Sequence, residues 1–478
     1  MATDTDTLSR LAKAGQEHLL TFEGDLTSDE RGSLLGQIEE LDLRALPGLV
    51  QEYVLGDVPF EPPADLEPAT YYPAPTHGPG KAIWDAAKYH ALGETLIGEG
   101  KLGLFTVAGG QGTRLGYDGP KGCYPTGCVS GKSLFQLFAE QIRAEGERYG
   151  TTIPWYIMTS PQNHGATEAF FKEHGWFGLG ADNVMLFRQG VMSSFDAATG
   201  RVLLADRHTI ATNPDGHGGS LKALVTSGAT DDMKARGVEH IAYIQVDNPH
   251  VRCVDPTFLG LHTSAPDSSG EFSSKMIPKV RWDEKVGVFC KAGGRTCVIE
   301  YSDLPDELAR QTTPDGAPRF IAGSPAIHLI GVAFIEKLQS NPDFALPYHR
   351  AVKKIPHMDL ETGRAVEPES PNGVKLERFV FDAIPLAQAS IVYETDRVEE
   401  FAPVKNVDGA DSIVSSKQLQ TDRAARWLEA AGVKVPRKPD GIVDAVIEIS
   451  PLTATCAEHL KGTPNLPESF EPGSTVEL

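Results

Sequence analysis

The sequence predicts an α/β protein built on a doubly wound sheet with a mainly parallel core. Two observations indicate this fold. Apolar segments of strand length alternate with segments of helix length from about residue 102 to residue 400. The first of these strands, at 102–107, ends in a glycine-rich turn. In open α/β sheets, ligands gather beyond the carboxyl ends of the strands, so this turn is where a ligand is expected.

Helices are predicted ahead of the sheet. Residues 1 to about 58 repeat apolar residues at intervals of three and four, with acidic residues between them. A proline-rich connector at 59–80 is expected to be extended. The segment 81–100 predicts a helix that leads directly into the first strand.

Further strands and helices alternate through the central region. The predicted strands are IPWYIMT at 153–159, NVMLFRQ at 183–189, HIAYIQVDN at 240–248 and SKMIPKV at 274–280. A helix is predicted at 163–174, and a β-hairpin at 287–301 that turns at Ala292-Gly293-Gly294. The segment 373–389 predicts an amphipathic helix, followed by a strand at 390–396.

Beyond about residue 400 the pattern changes. A long helix is predicted at 416–432, then a proline-rich segment, a short strand at 443–450 and a loosely ordered tail. We therefore expect three domains: 1–95 with the helices and connector, 96–400 with the sheet, and a C-terminal domain at 401–478.

The composition excludes several classes of protein. The chain has 478 residues and a formal net charge of −21, which argues against binding to nucleic acid or to anionic membranes. Its six cysteines lack the paired spacing of a zinc site. The first residues lack a signal-peptide pattern, and no apolar run approaches the length of a membrane span. A cytoplasmic location is expected, and no protein partner is implied.

The most informative segment is LFTVAGGQGTRLGYDGPKGCYP at 104–125. Gly109, Gly110 and Gly112 let the backbone approach a ligand closely. Arg114 and Lys121 place two positive charges beside this turn. Exposed backbone N–H groups and cations together favour a nucleoside polyphosphate as the ligand.

Two other phosphate-binding motifs are excluded by their spacing. The dinucleotide fingerprint G-x-G-x-x-G would need a glycine where Leu115 stands, so an NAD-dependent dehydrogenase does not fit. The P-loop pattern that ends at Gly131-Lys132-Ser133 would need a glycine where Thr126 stands.

Asp247 is the candidate metal ligand. It ends the apolar strand that begins at residue 240, where a carboxylate and substrate phosphates together suit Mg²⁺. The alternative is a helix N-cap for the segment after it, but Asp255 fits that position better.

These segments resemble one known family along nearly the whole chain. The pattern G-G-Q-G-T-R-L-G followed by P-K-G is typical of the eukaryotic-type UDP-N-acetylhexosamine pyrophosphorylases, within the wider family of UTP:sugar-1-phosphate uridylyltransferases. Other segments resemble that family too, and they are AKAGQEHLL near the N-terminus, IPWYIMTS at 153–160, VDN at 246–248, VGV at 286–288, EYS at 300–302, KLERFVFD at 375–382 and PVKN at 403–406.

The resemblance implies a fold and an activity. The fold would be a Rossmann-like nucleotidyltransferase of the GT-A-like type, a mixed sheet with helices on both faces plus small N- and C-terminal domains. The part at 96–400 would bind nucleotide and sugar. The enzyme would make UDP-sugar and pyrophosphate from UTP and a sugar-1-phosphate with Mg²⁺. The attacking phosphate oxygen is already an anion, so alignment and charge stabilisation would suffice without a protein nucleophile.

The resemblance also implies residue roles. Arg114 and Lys121 would hold the β- and γ-phosphates, and Lys405 would approach the α-phosphate. The nucleotide would further contact Gly109, Gly110, Gly112, Gln189 and Gly216, and Asp247 would bind the metal. The sugar would contact His217, Gly287, Glu300, Tyr301, Ser324 and Phe381. Judged by residue type alone, Gln189 would be solvated, Glu300 a hairpin surface residue and Phe381 part of the core.

Two positions depart from the N-acetylhexosamine pattern. His217 stands where the family usually has asparagine in P-D-G-N-G-G, and Ser324 replaces a second asparagine in A-G-N. A histidine in G-H-G is more typical of the glucose-1-phosphate and broad-range branches. The resemblance along the whole chain still makes N-acetylglucosamine-1-phosphate the first expected substrate, and these two departures make glucose-1-phosphate or broad specificity the alternative. A non-catalytic UDP-sugar sensor is an alternative of another class.

Overall fold

The computed structural model describes residues 4–56, 62–75, 84–341 and 344–478. They form two compact units. Unit 1 comprises Met1–Glu61, Gln189–Ser220 and Ala345–Asp382, and unit 2 comprises Pro62–Arg188, Leu221–Phe344 and Ala383–Leu478. Both units are discontinuous in the chain. The three consecutive domains expected from the sequence therefore remain a prediction.

The described residues contain fourteen α-helices. They are α1 (Thr5–Ala14), α2 (Ser28–Glu40), α3 (Leu46–Leu49), α4 (Ala86–Gly98), α5 (Leu134–Tyr149), α6 (His164–Glu173), α7 (Ser220–Thr226), α8 (Ala229–Ala235), α9 (Pro256–Ser264), α10 (Asp306–Ala309), α11 (Val332–Gln339), α12 (Arg397–Glu400), α13 (Ile413–Ala430) and α14 (Ala457–Leu460). Capping side chains fix several starts. Ser133 accepts from the Gln136 N–H at the start of α5, and Ser412 forms a capping box at the start of α13.

The same part of the chain contains twenty strands. They are β1 (Glu67–Pro68), β2 (Leu102–Val107), β3 (Trp155–Thr159), β4 (Val184–Arg188), β5 (Val191–Ser193), β6 (Phe195–Asp196), β7 (Thr212–Pro214), β8 (His240–Gln245), β9 (Phe272–Pro278), β10 (Val288–Ala292), β11 (Arg295–Ile299), β12 (Ala322–Gly323), β13 (His328–Gly331), β14 (His349–Lys353), β15 (His357–Met358), β16 (Ala365–Val366), β17 (Gly373–Glu377), β18 (Val392–Glu394), β19 (Ala445–Glu448) and β20 (Ser474–Glu477).

Unit 2 is built on a mixed sheet of eleven strands in the order β1-β10-β12-β9-β13-β8-β2-β3-β4, with β11 beside β10 and β18 beside β9. The neighbours β8, β2, β3 and β4 are parallel. Strand β13 is antiparallel to both β8 and β9. The carboxyl ends of β8, β2 and β3 therefore lie along one edge of the sheet, which we call the ligand edge. The predicted α/β fold with a mixed sheet is confirmed.

Helices cover both faces of this sheet. The buried Leu104 and Trp155 are register partners, and the Trp155 ring packs against Phe135 of α5 with ring centroids 6.0 Å apart. Side chains alternate along a strand, so the neighbouring Tyr156 points to the other face. Its hydroxyl donates to Asp232 of α8 at 2.7 Å. Both faces are thus buried against helices, which explains the long apolar strands.

Unit 1 carries smaller sheets. Strands β14, β17 and β6 form one sheet, and β5 pairs with β7. Buried residues from the N-terminal helices, including Leu34 and Ile38 of α2, form one core with Phe195, Val374 and Leu376 of the strands. The helical pattern at the N-terminus was thus predicted correctly, and its apolar face packs on strands that come much later in the chain.

The predicted amphipathic helix at 373–389 is wrong. This segment forms β17, and a 3-10 helix at Val380–Leu386 follows it. Along β17 the buried Val374 and Leu376 alternate with half-buried Lys375 and Glu377, which is the two-residue period of a strand. The apolar residues after the strand hid this short alternation, and pairing with β14 and β6 decides the conformation.

The connector contributes the extended strand β1, which pairs with β10, and parts of the connector lie outside the described residues. One further expectation needs correction. The tail is ordered at its end, because β20 pairs in parallel with β19.

Candidate active site

The glycine turn folds back on the end of β2. The Lys121 N–H donates to the Gly110 carbonyl at 3.0 Å, and the Gly112 N–H donates to the Gly119 carbonyl at 2.9 Å. These bonds close the loop and bring Lys121 beside the end of the strand. A Cβ placed on Gly110 would meet nothing within 4 Å, so this part of the turn is open to a ligand.

Packing explains other glycines of the motif. A Cβ on Gly112 would lie 2.8 Å from the Tyr117 ring, and one on Gly122 would lie 2.2 Å from the Phe135 ring. Tyr117 fills the inside of the turn, and Phe135 belongs to α5 in the core of unit 2. The motif is thus constrained from within the protein as well as by any ligand.

The Asn163 side chain holds the backbone at the start of this turn by hydrogen bonds. Its Nδ2 donates to the carbonyls of Ala108 at 2.9 Å and Gly110 at 3.2 Å, and its Oδ1 accepts from the Ser160 N–H at 2.8 Å. The sequence analysis missed this role. Asn163 directly precedes α6 and resembles a helix N-cap, yet its side chain caps no helix N–H. Its position just after β3, at the ligand edge of the sheet, was the available signal.

Lys121 and Asp247 form an ion pair at this edge. The Nζ of Lys121 lies 3.5 Å from Oδ2 of Asp247, and the two side chains are 17% and 15% exposed. Asp247 follows the end of β8, which is the parallel neighbour of β2. The parallel neighbours β2 and β8 therefore bring Lys121 and Asp247 together at the ligand edge, as the positions of these residues in the sequence predict.

The other two predicted cations are placed differently. Arg114 lies in a 3-10 turn at Thr113–Leu115 and is exposed. The segment that carries Lys405 contacts the Asp247 turn, because the Val404 N–H donates to the Asp247 carbonyl at 2.8 Å. The Lys405 ammonium itself pairs with Asp411 at 3.5 Å.

A divalent metal would have few protein ligands here. Within the described ranges, no three His, Cys, Asp or Glu side chains gather in a ready-made cation site. Asp247 offers one half-buried carboxylate, and phosphate oxygens and waters would complete the shell. This donor set fits a hard cation that keeps several waters.

Three residues of unit 2 that were predicted to contact the sugar lie close together, and they are Gly287, Glu300 and Ser324. Val288 is the register partner of both Ile299 and Gly323, so the ends of β10, β11 and β12 converge. The Ser324 N–H donates to the Gly287 carbonyl at 2.8 Å, and Oε1 of Glu300 lies 3.5 Å from where a Gly287 Cβ would be. Tyr301 is adjacent and 47% exposed.

The remaining predicted residues belong to unit 1. Pairing of β5 with β7 brings the end that carries Gln189 close to Gly216 and His217, and Gln189 is buried. Gly216 has a φ of +83°, and a Cβ there would lie 2.3 Å from the Arg378 carbonyl oxygen. Only glycine suits that position.

His217 stands in a cluster of aromatic rings. It stacks on Phe379, with ring centroids 5.0 Å apart and planes 13° apart, and its centroid lies 5.7 Å from that of Phe381. Phe379 also stacks on His349, with ring centroids 4.1 Å apart, and His349 pairs with Asp382 at 2.8 Å. Phe381 thus lies in this cluster and outside any α-helix, contrary to the helical expectation.

One hydrogen bond fixes the tautomer of His217. Its Nδ1 accepts from the Val380 backbone N–H at 3.1 Å, and a backbone N–H can only donate. Burial lowers the pKa of His217 to about 4, with a smaller contribution from nearby His349. The neutral ring therefore carries its proton on Nε2, which is left to donate one hydrogen bond.

The mixed sheet with a glycine turn at its ligand edge is the fold of a nucleotidyltransferase, and comparison with known proteins identifies the same class. The family model for UTP–glucose-1-phosphate uridylyltransferase matches residues 85–431. The chain is 37% identical to human UDP-N-acetylhexosamine pyrophosphorylase-like protein 1, covering 96% of this chain and 95% of that protein. It is 34% identical to UDP-N-acetylglucosamine pyrophosphorylase of Saccharomyces cerevisiae, covering 95% and 96%. The chain belongs to the UTP–glucose-1-phosphate uridylyltransferase family.

Solved structures agree with the fold. The uridine diphosphate N-acetylglucosamine pyrophosphorylase of Trypanosoma brucei matches with a TM-score of 0.80 and 27% identity, covering 98% of both chains. The putative UDP-N-acetylglucosamine pyrophosphorylase of Entamoeba histolytica matches with a TM-score of 0.72 and 30% identity, covering 86% of this chain and 98% of that one. Family membership implies a divalent metal and the substrates UTP and a sugar-1-phosphate. No helix among the described residues is long and apolar enough to cross a membrane.

Proposed function

We propose that this chain makes a UDP-sugar and pyrophosphate from UTP and a sugar-1-phosphate, with N-acetylglucosamine-1-phosphate as the preferred acceptor and Mg²⁺ as the metal. The observation that carries the proposal is the Lys121–Asp247 pair beside the open glycine turn. It supplies a cation for phosphate oxygens and a carboxylate for a metal at one edge of the sheet. The cytoplasmic location stays a prediction.

The residues act by holding charge and geometry. The glycine turn would receive the nucleotide, while Arg114 and Lys121 would bind the β- and γ-phosphates and stabilise the charge on the departing pyrophosphate. Asp247 would hold Mg²⁺, which, when bound, neutralises phosphate charge. Lys405 would leave Asp411 for the α-phosphate, because a phosphate carries more charge than one carboxylate. The oxygen of the sugar phosphate would then attack in line with the leaving group.

The sugar-side residues support an acceptor of hexose type. Glu300 and Ser324 would bond hydroxyl groups of the sugar. His217 would donate from Nε2 to an oxygen, and as a neutral donor it suits a hydroxyl oxygen or an amide carbonyl. The donor alone therefore does not separate glucose from N-acetylglucosamine. The space beside the His217 ring would determine which of the two sugars is preferred. Glucose-1-phosphate or broad specificity remains the second candidate.

The test is one panel assay. Purified protein, UTP and Mg²⁺ are incubated with N-acetylglucosamine-1-phosphate, N-acetylgalactosamine-1-phosphate, glucose-1-phosphate or galactose-1-phosphate, and pyrophosphate release is measured. We expect the highest kcat/KM with N-acetylglucosamine-1-phosphate. A higher value with glucose-1-phosphate would reverse the choice of sugar. UDP-sugar binding without any turnover would favour the non-catalytic sensor, a role for which the Lys121–Asp247 pair has no evident use.

A further inference from the structure

Asn248 follows Asp247 directly and is buried, with 6% of its surface exposed. Its side-chain amide faces the segment that runs from the end of α12 to Lys405. Nδ2 donates to the Glu400 carbonyl at 2.6 Å, and Oδ1 accepts from the Ala402 N–H at 3.0 Å. Oδ1 also accepts from the His250 N–H at 3.2 Å, and this bond stabilises the turn at residues 247–250.

One backbone bond completes this connection. The Val404 N–H donates to the Asp247 carbonyl at 2.8 Å. Residues 247 and 248 therefore hold residues 400, 402 and 404 at three successive points. Asn248 makes the first two of these bonds and Asp247 accepts the third, so Asp247 lies at the end of the ladder that Lys405 follows.

The anchor behind the segment is itself rigid. The Glu400 carboxylate accepts from the buried Lys275 ammonium at 2.5 Å and from the Thr395 hydroxyl at 2.7 Å. Ser416 of α13 donates to the Ala402 carbonyl at 2.7 Å. Asn248 thus connects the turn that carries Asp247 to a fixed part of the core. A flexible partner would not transmit position in this way.

We propose that Asn248 is a positioning residue, whose side-chain amide sets the distance between the carboxylate of Asp247 and the lysine at 405. This inference rests on the proposed roles of Asp247 and Lys405 in uridylyl transfer. The metal carboxylate and the α-phosphate lysine lie on segments that are 158 positions apart in the chain, from 247 to 405. Without the amide, the Val404 bond would remain beside the two functional residues, and the bonds of His250 to the Val398 carbonyl and of Arg252 to the Glu400 carboxylate would hold the segments only farther from Lys405.

The test is a double-mutant cycle with Asn248→Ala and Lys405→Ala. We expect Asn248→Ala alone to lower kcat roughly tenfold to a hundredfold, since a displacement of about 1 Å at a reacting centre has an effect of that size. In the Lys405→Ala background the same substitution should lower kcat by no more than about threefold, because the lysine it positions is gone. Equal losses in both backgrounds would overturn the proposal.

Asn372→Ala is the matched control. Asn372 also holds backbone with its amide, because its Oδ1 accepts from the Ile355 N–H at 2.8 Å and its Nδ2 donates to the Ile355 carbonyl at 3.1 Å. We expect it to lower the thermal midpoint as Asn248→Ala does, with kcat unchanged within about twofold. If both variants lose turnover in parallel with stability, Asn248 is only structural.

A binding measurement gives a readout without turnover. Calorimetric titration with UTP in chelator, with no sugar phosphate present, should show binding about fivefold to tenfold weaker in Asn248→Ala and unchanged in Asn372→Ala. Asn248→Asp keeps the acceptor for Ala402 but loses the donor to Glu400, and it should fall between wild type and Asn248→Ala if the variants are equally folded. Normal turnover of Lys405→Ala would refute the role of Lys405, and this inference with it. A slow Lys405→Ala with unchanged kcat in Asn248→Ala would refute the inference alone.

Discussion

The ligand edge of β2 and β8 and the ring cluster around His217 use different physical means. At the sheet edge, backbone hydrogen bonds hold a glycine turn, and a lysine and an aspartate supply opposite charges. In the ring cluster, stacked aromatic rings supply shape, and His217 adds one neutral donor. The first region suits phosphates, which every reaction of this kind shares. The second is built mainly from side chains, so under the proposed function it could change with the sugar while the chemistry stays the same.

The largest expected effect is at the charged edge. We predict that Lys121→Ala or Arg114→Ala lowers kcat/KM by roughly a hundredfold or more, the usual loss when a fixed charge donor is removed. The matched control is Lys172→Ala, because Lys172 forms a surface pair with Glu168 at 2.8 Å. Initial rates of pyrophosphate release measure all three variants. A Lys121 variant as active as the Lys172 variant would remove the lysine from the mechanism.

Asp247→Asn is expected to be the next most severe. The amide keeps the shape of the side chain but loses the charge that holds the metal, so most activity should disappear and added Mg²⁺ should restore part of it. Chelator should abolish wild-type activity. If the wild-type enzyme keeps full activity in chelator, both the metal and the role of Asp247 are refuted.

Substitutions at His217 in the ring cluster and at Ser324 should change selectivity for the sugar more than the rate. Asparagine at 217 could still accept from the Val380 N–H and donate to the sugar, but it is shorter than histidine and leaves more room. We predict that His217→Asn with Ser324→Asn shifts the ratio of kcat/KM by about tenfold to a hundredfold toward N-acetylglucosamine-1-phosphate and away from glucose-1-phosphate. Both sugars are compared at fixed UTP with one preparation. If the ratio stays the same, these positions do not select the 2-substituent.

The smallest expected effect is on how the free energy of unfolding depends on pH. The pKa of His217 is lowered from 6.5 to about 4, so between these values the unfolded chain binds a proton that the folded protein does not. His217 therefore lowers the free energy of unfolding as the pH falls from 6.5 toward 4, and has no such effect above 6.5. We predict that His217→Asn flattens this part of the profile in urea titrations at pH 4.5, 5.5 and 7. A profile as steep as that of the wild type would mean that His217 is not buried as a neutral ring.

The position of Lys121 and Asp247 at the sheet edge could be predicted because the information is local, while their roles stay a prediction. The glycine turn directly follows β2, Asp247 directly follows β8, and the rule for parallel strands then brings them together. The ring cluster depends on distant pairing. The sequence pattern favoured a helix at 373–389, since only the register of β17 with β14 and β6 reveals a strand there. The tautomer of His217 depends on a bond from Val380, 163 positions away, so residue type alone left it open.

The discontinuity of unit 1 has a consequence for the order of folding. Its three parts come from Met1–Glu61, Gln189–Ser220 and Ala345–Asp382, so two long stretches of chain must be closed before its core can form. Unit 2 is discontinuous as well, but its central strands β2 and β3 are buried along almost their whole length, whereas β14 is mostly exposed. Strands with few buried side chains open most easily, so the sheet of unit 1 should open first. In native-state hydrogen exchange, we expect the amides of β14 and β17 to exchange before those of β2 and β3.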